Sequence, residues 1–397
     1  MSSLRLFTAG ESHGRGLVGI LEGFPANVPI SPDEINHQLR RRQLGYGRGG
    51  RMKIERDQAE ILSGLRSGKT LGSPISLVVW NRDWENWRGK MDPWAPNHEG
   101  PALTVPRPGH ADYAGWMKYQ PGDIRNVLER ASARETAARV ALSSFCRQLL
   151  SAFGVEVMSH VVEIGGVVSG ASPAPLDQPV SITAAALRDL NEQADHSPVR
   201  CLDTDAERRM MEKIDQAAKS KDTVGGVFEI IVAGLPPGLG SHVHWDRRLD
   251  GLLAQALVSI PAIKGVEFGL GFGVAKRFGS EVHDELLPGP AGGVIRPTNR
   301  AGGTEGGMTT GQPLVIRASM KPIPTLTRPL RTVDLVSGEA REAFKERSDV
   351  CAVPAASVVG EAMVAYVLAD AFCEKFGHDS LQEMRANYEA YIAHLAR

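Results

Sequence analysis

Apolar positions along the chain follow two rhythms. Between Ile124 and about Ala152 they recur at steps of three and four, so that Leu128, Ala131, Ala138, Leu142, Phe145 and Leu149 share one face. That spacing predicts one long amphipathic helix. On another of its faces Arg130 and Arg134 project together one turn apart. Glu135 and Arg139 have the spacing of a helical ion pair, worth roughly 0.2–0.5 kcal/mol. Residues 355–376 are apolar on most sides and predict a helix enclosed in the core. A last helix, over 379–397, starts at a cap near Asp379 and carries Leu381, Met384, Tyr388, Ile392 and Leu395 on one face. PDEINHQLRRRQ (32–43) predicts a shorter helix, with Ser31 as cap, Pro32 at its first position and acids in its first turn.

The second rhythm is that of strands, at 73–80, from 155, at 225–238, 266–280 and 313–325. GSPISLVV (72–79) and GQPLVIRA (311–318) share an opening, a faint internal symmetry. Strands and helices come in blocks rather than in β-α-β alternation, and no Pro/Ser-rich linker divides the chain. One large α+β domain over 1–397 is the expected organisation. The stretch from Asn81 to about Gly109, rich in Trp, Pro and Asn, breaks both rhythms. It predicts a long surface loop able to act as a lid.

Composition narrows the function. The 397 residues carry 45 basic and 46 acidic side chains, so no overall field marks a nucleic-acid or membrane binder. The opening MSSLRLFTAGESHG lacks the apolar stretch of a secretory signal, and no run approaches the ~20 apolar residues of a membrane span. A cytoplasmic location is expected. The four cysteines are scattered, without disulfide or zinc spacing. The glycines at 269, 271 and 273 lack the following helix that a dinucleotide fingerprint requires.

Charge is concentrated locally. Between 40 and 56, Arg40, Arg41, Arg42, Arg48, Arg51, Lys53 and Arg56 face Glu55 alone, a local +6 threaded with glycines. Guanidinium forks beside exposed backbone N–H groups suit phosphate and carboxylate. A solvated basic face and an arginine/glycine RNA-binding surface fit the same residues. LFTAGESHGRG (6–16) sets Ser12 and His13 in a glycine frame, and PRPGHADYAG (106–115) places His110 two residues before Asp112. Two imidazoles, many arginines and several glycine loops point to a polyanionic small molecule and proton transfer near neutral pH.

Seven segments fall in one order between residues 8 and about 356: TAGESHGRG, LGYGRGGRM, RPGHADYAG, RASARETAARVA, NRAGGTEGGMT, MKPIPT and RSDVCAVPA. Together they resemble the motifs of the chorismate synthases. The resemblance implies a homotetramer of single-domain subunits, each with helices sandwiched between antiparallel β-sheets. It also implies the last step of the shikimate pathway. There 5-enolpyruvylshikimate 3-phosphate loses phosphate and a ring proton in an anti 1,4-elimination, with reduced FMN and no net redox change.

The same resemblance assigns residues. His13 protonates the departing phosphate with Ser12 in the relay, His110 protonates or steadies the reduced flavin, and Asp349 assists removal of the ring proton. Flavin contacts carry over to Arg130, Ala131, Ser132, Pro261, Ala262, Gly306, Lys321, Pro322, Ile323, Pro324, Thr325 and Arg347. Substrate anchors are placed at Arg42, Arg48, Arg51, Arg107 and Arg134, the first two also matching positions associated with NADPH. A bifunctional form reducing its own FMN with NADPH stands beside the form served by an external flavin reductase. Ser348 and Val350 replace the His and Pro that many members carry around Asp349.

Overall fold

The computed structural model describes residues 3–49, 56–94, 100–289, 293–344 and 349–395. Alternation of inward and outward side chains builds a first sheet from β1 (Arg5–Ala9), β2 (Gly16–Glu22), β3 (Ala59–Ser63) and β6 (Ile75–Trp80), paired antiparallel in the order β1-β2-β6-β3. β2 turns Leu17 and Leu21 inward and Val18 and Ile20 outward. Gly19 lies inward between them because a Cβ there would come within 2.9 Å of Leu142, on the helix beneath.

The second sheet has the order β10-β15-β9-β7-β8, with β7 (Glu156–Ile164), β8 (Val167–Val168), β9 (Gly226–Ala233), β10 (Ile263–Phe268) and β15 (Leu314–Met320). His160, Glu229, Arg317 and Glu267 stand opposite one another across its four adjacent strands. Glu229 meets His160 at 3.1 Å and accepts from Arg317 at 2.8 Å. A one-residue slip would separate these charges and turn every side chain to the other face, so the ladder fixes the register. Short ribbons flank the sheets: β4 (Leu65–Arg66) with β5 (Lys69–Thr70), β11 (Leu287–Pro288) with β12 (Val294–Ile295), β13 (Thr304–Glu305) with β14 (Met308–Thr309), and β16 (Arg331–Val333) with β17 (Ala340–Glu342).

Helices α1 (Pro32–Gln43), α5 (Thr136–Ser151), α8 (Leu249–Val258) and α9 (Val353–Phe376) fill the space between the sheets, as expected for an α+β sandwich. α6 (Ala184–His196) covers the far face of the second sheet around Met158, Ile231 and Val315. α7 (Thr204–Lys219) packs beside β8, and α10 (Leu381–Leu395) against α9. α9 is long and apolar enough to cross a membrane, but 89% of its apolar window is buried inside the protein, which makes it the core helix.

Three expectations are corrected. The helix read over 124–152 is broken into α4 (Arg125–Leu128), a 3-10 turn at Ala133–Glu135, and α5. Ser132 is extended between them, and its hydroxyl accepts from the Arg134 N–H as an N-cap does. The 81–109 loop contains α2 (Trp84–Met91), a helix with no buried residue. The strand read over 266–280 ends at Phe268 and passes into a 3-10 helix at Gly271–Lys276. A Cβ on Gly269 would fall 2.1 Å from the Arg300 carbonyl, so glycine here serves a close backbone crossing. On α10, Met384 is buried but Ile392 and Leu395 are exposed.

One buried cluster ties the middle layer together. Glu361, in the centre of α9, accepts from Arg41 of α1 at 2.7 and 2.9 Å, Arg147 of α5 at 2.9 Å, Arg200 at 3.0 Å and the Ser159 hydroxyl of β7 at 2.7 Å. Asp195 holds Arg41 at 2.7 Å and also Arg200, and Glu156 holds Arg147 at 2.6 Å. Burial alone would raise the Glu361 carboxyl. The charges of Arg41, Arg147 and Arg200 overcome burial and hold it at about 2, below its ordinary 4.5. Burial draws the Arg200 guanidinium down to about 9.

Replacing Glu361 by Gln removes the shared counter-charge of three buried guanidiniums. It is expected to cost about 3–5 kcal/mol, read as a fall in the urea midpoint. Because the folded carboxyl is held below its ordinary value, its contribution is complete above pH 4.5 and lost as pH falls towards 2. The gap between wild type and Glu361→Gln should therefore close over that interval. A constant gap would show that the charge of Glu361 is not what stabilises the layer.

Candidate active site

The chain leaves β1 at Ala9 and re-enters the sheet at Gly16, and the turn between them carries Ser12 and His13. Gly10 makes this reversal possible: its φ is +105°, and a Cβ would lie 2.4 Å from the Gly16 carbonyl. From below, the turn rests on Glu129 at the end of α4. The Glu129 carbonyl accepts from Ser12 N at 3.0 Å, one carboxylate oxygen accepts from His13 N at 2.7 Å, and the other meets His13 Nδ1 at 2.8 Å. Trp87 of α2 stacks on the His13 ring with centroids 3.9 Å apart. The Ser132 hydroxyl meets that of Ser12 at 3.1 Å.

Asn81 joins this turn to the arginines. Its amide donates to the Gly14 carbonyl at 2.7 Å and the Glu11 carbonyl at 3.3 Å, while its oxygen accepts from Arg134 Nε at 2.9 Å. Arg134 donates twice to Asp57, at 2.6 and 2.7 Å. On the other side of Asp57 lies Arg42, at 3.5 Å. Arg42 is buried, its Nε has no partner among the described residues, and burial draws its guanidinium down to about 10. Arg48 Nε stands 2.9 Å from Asp349, whose second oxygen accepts from Gly49 N at 2.6 Å. The basic cluster is thus divided: Arg41 turns into the core, while Arg42 and Arg48 join Arg134. Arg51 and Arg347 lie outside the described residues.

The break at Ser132 also separates two side chains expected on one helical face. Arg130 reaches back to the Thr8 and Gly10 carbonyls at 2.8 and 3.2 Å, whereas Arg134 goes to Asp57. Arg130, Ala131, Ser132 and Pro261 line a cleft of about 430 Å³, with Leu6, Met363 and Tyr366 also in its wall.

His110 is held by a second carboxylate. Its Nδ1 contacts Asp112, the first residue of α3 (Asp112–Tyr119), which also accepts from the Arg107 backbone at 3.0 Å and its Nε at 2.9 Å. Burial pushes the Asp112 carboxyl up, but the donors on His110 and Arg107 prevail and hold it at about 2. Arg107 further donates to Thr325 at 3.2 Å. Lys321 donates through Nζ to the Gly109 carbonyl and through its backbone to Ala262 at 2.9 Å. Ala262 takes a φ of +71°, uncommon for a residue with a Cβ.

From the His110 side, a run of hydrogen bonds starts at the Ile323 carbonyl, which accepts from the Thr223 hydroxyl at 2.8 Å. It continues from Val224 to Val350 at 2.9 Å and from Val350 to Gly47 at 2.8 Å. Lys321, Pro322, Ile323, Pro324 and Thr325 therefore bridge the His110 loop and the Asp349 segment. Gly306 is placed elsewhere. It lies in the turn between β13 and β14, before the start of β15, whereas Lys321 follows its end.

Glu129, Asn81, Asp57 and Trp87 were not singled out from the sequence. Glu129 and Asp57 lie 116 and 77 residues from the side chains they hold, so no local spacing exposes them.

The chorismate synthase family profile matches residues 4–373. The chorismate synthase of Trichlorobacter lovleyi is 57% identical over 401 residues, covering 99% of each chain. That of Aquifex aeolicus is 54% identical over 393 residues, 99% of this chain and 98% of the other. A crystal structure of a chorismate synthase superposes with a TM-score of 0.78 at 45% identity, covering 99% of this chain and 98% of that one. On profile, relatives and fold together, the chain belongs to the chorismate synthase family of lyases.

Proposed function

We propose that the chain converts 5-enolpyruvylshikimate 3-phosphate to chorismate by anti 1,4-elimination, with reduced FMN and no net redox change. One observation carries this reading: Asn81 bonds the backbone of the turn that carries His13 to Arg134, and Asp57 joins Arg134 to Arg42. A proton-transfer group thus stands beside guanidiniums suited to phosphate and carboxylate. The buried Nε of Arg42, without a partner among the described residues, is the donor an anionic substrate would satisfy.

In this reading Arg42, Arg48, Arg51, Arg107 and Arg134 hold the three anionic groups of the substrate. Arg107 does so while organising the His110 loop through Asp112 and Thr325. His13 delivers a proton to the phosphate oxygen as the C–O bond breaks, and Ser12 supports it through its contact with Ser132. Asp349, drawn to the site by Arg48, assists removal of the ring proton. His110 stands at the flavin, its ring set by Asp112.

The cleft beside Arg130 offers a volume that suits such a cofactor, with Leu6, Pro261, Met363 and Tyr366 beside the polar Thr8, Arg130, Ser132, Glu135 and Arg139. Arg130, Ala131, Ser132, Pro261, Ala262, Arg347 and Lys321 to Thr325 are the residues we assign to holding FMN. Reduced FMN supplies the electron density that lets the C–O bond to phosphate break. Gly306 is assigned to the same set. The burial of Arg42 and the pairing of Arg48 with Asp349 favour substrate rather than NADPH at these positions, so the reductant is assigned to an external flavin reductase.

A homotetramer completes the reading. Phe7, Val18, Ile20, Leu62 and Trp80 stand between 38% and 56% exposed on the outer face of the first sheet. Exposed apolar clusters of this kind mark association surfaces.

Anaerobic assays with photoreduced FMN and no NADPH are expected to release phosphate and form chorismate. Turnover that requires NADPH would replace this reading with the bifunctional one. His13→Ala should lower kcat by roughly 10²–10⁴, with a smaller change in KM, and wild-type turnover would remove His13 from its role. Light scattering of the wild-type chain should give about four subunits of 42.8 kDa, and Ile20→Asp should shift it to smaller species. A monomeric wild type would overturn the assembly.

A further inference from the structure

We propose that Glu129 is the positioning residue for His13, fixing which ring nitrogen handles the transferred proton. The proposal rests on His13 as proton donor and adds how it is oriented. Three acceptors of Glu129 engage two consecutive residues: its carbonyl takes the Ser12 N–H at 3.0 Å, Oε2 takes the His13 N–H at 2.7 Å, and Oε1 meets Nδ1 at 2.8 Å. The Glu129 side chain is 1% exposed, so water does not compete for its oxygens. An ionised carboxylate only accepts, and Nδ1 must therefore carry a hydrogen. Nε2 points away from Glu129 and becomes the nitrogen that gives up the proton.

The balance of the step depends on this. The doubly protonated ring donates from Nε2 to the phosphate oxygen and becomes neutral, keeping its hydrogen on Nδ1. Glu129 accepts that hydrogen before and after the transfer, so the ring neither flips nor exchanges tautomers. Stacking of Trp87 on the ring fixes the remaining rotation. A latch that merely closed the turn would need only the two backbone contacts, whereas the contact to Nδ1 involves the reacting ring itself.

Glu129→Gln separates the two roles. A glutamine has one acceptor oxygen for two donors. The His13 backbone N–H cannot act as anything but a donor, so the oxygen is drawn to it and the amide NH2 faces Nδ1. The neutral ring then moves its hydrogen to Nε2, and the charged ring would set N–H against N–H. The expected result is a fall in kcat of about 10²–10³ with KM changed less than about threefold, as when a carboxylate that sets a histidine tautomer is neutralised.

The second readout is nitrogen NMR of selectively 15N-histidine-labelled enzyme, with His13 assigned by its loss in His13→Asn. Wild-type neutral His13 should carry its hydrogen on Nδ1, and Glu129→Gln should carry it on Nε2. A wild-type ring protonated on Nε2 overturns the proposal, and needs no Glu129 variant to fold. So does a Glu129→Gln enzyme with wild-type kcat, or one whose kcat falls while the hydrogen stays on Nδ1. Full activity in His13→Ala would instead remove the proton-donor reading while leaving the tautomer result intact.

Discussion

A single carboxylate at the centre of α9 orders the layer on which the site is built. Glu361 sits among guanidiniums from α1, α5 and the segment before α7, so these parts cannot move apart without exposing an uncompensated charge. The rotation of α1 follows from the same contact. Once Arg41 turns inward to Glu361, Arg42 must project about 100° around the helix, towards Asp57 and the site. A core ion cluster thereby decides where a functional arginine points.

Much of the framework was legible because its signals are local. Ser31, Pro32 and the following acids mark the start of α1, and the unbroken apolar run over 355–376 marks a buried helix. The break at Ser132 was missed although its sign is present: Ser132 and Glu135 have the spacing of a helix start inside a continuing apolar pattern. Periodicity outweighed that sign, yet the extended Ser132 sends Arg130 and Arg134 to different places. In the 81–109 segment, the Trp and Asn content suggested irregular chain. α2 nonetheless forms there, and one of its tryptophans covers the His13 ring.

The candidate site was legible in its cations and imidazoles and largely illegible in the acids that hold them. Glycine frames and clustered arginine mark His13, His110, Arg42 and Arg48 from the sequence alone. Asp57, Glu129 and Asn81 act on side chains far away in the sequence, and their meaning arises only when the sheets close. Only Asp112 was within local reach, two residues from His110. Both histidines finish with Nδ1 against a buried carboxylate, the same solution reached once through a distant partner and once through a near one.

Asn81 links the two halves of the site in one direction only. Its oxygen faces a guanidinium and its nitrogen faces two carbonyls, so a rotated amide would oppose donor to donor and acceptor to acceptor at once. This asymmetry makes it a rigid lever with its fulcrum at the end of β6. An anion that drew Arg134 forward would tug the Gly14 turn with it, so the gripping arm and the acidic tip travel as a coupled pair.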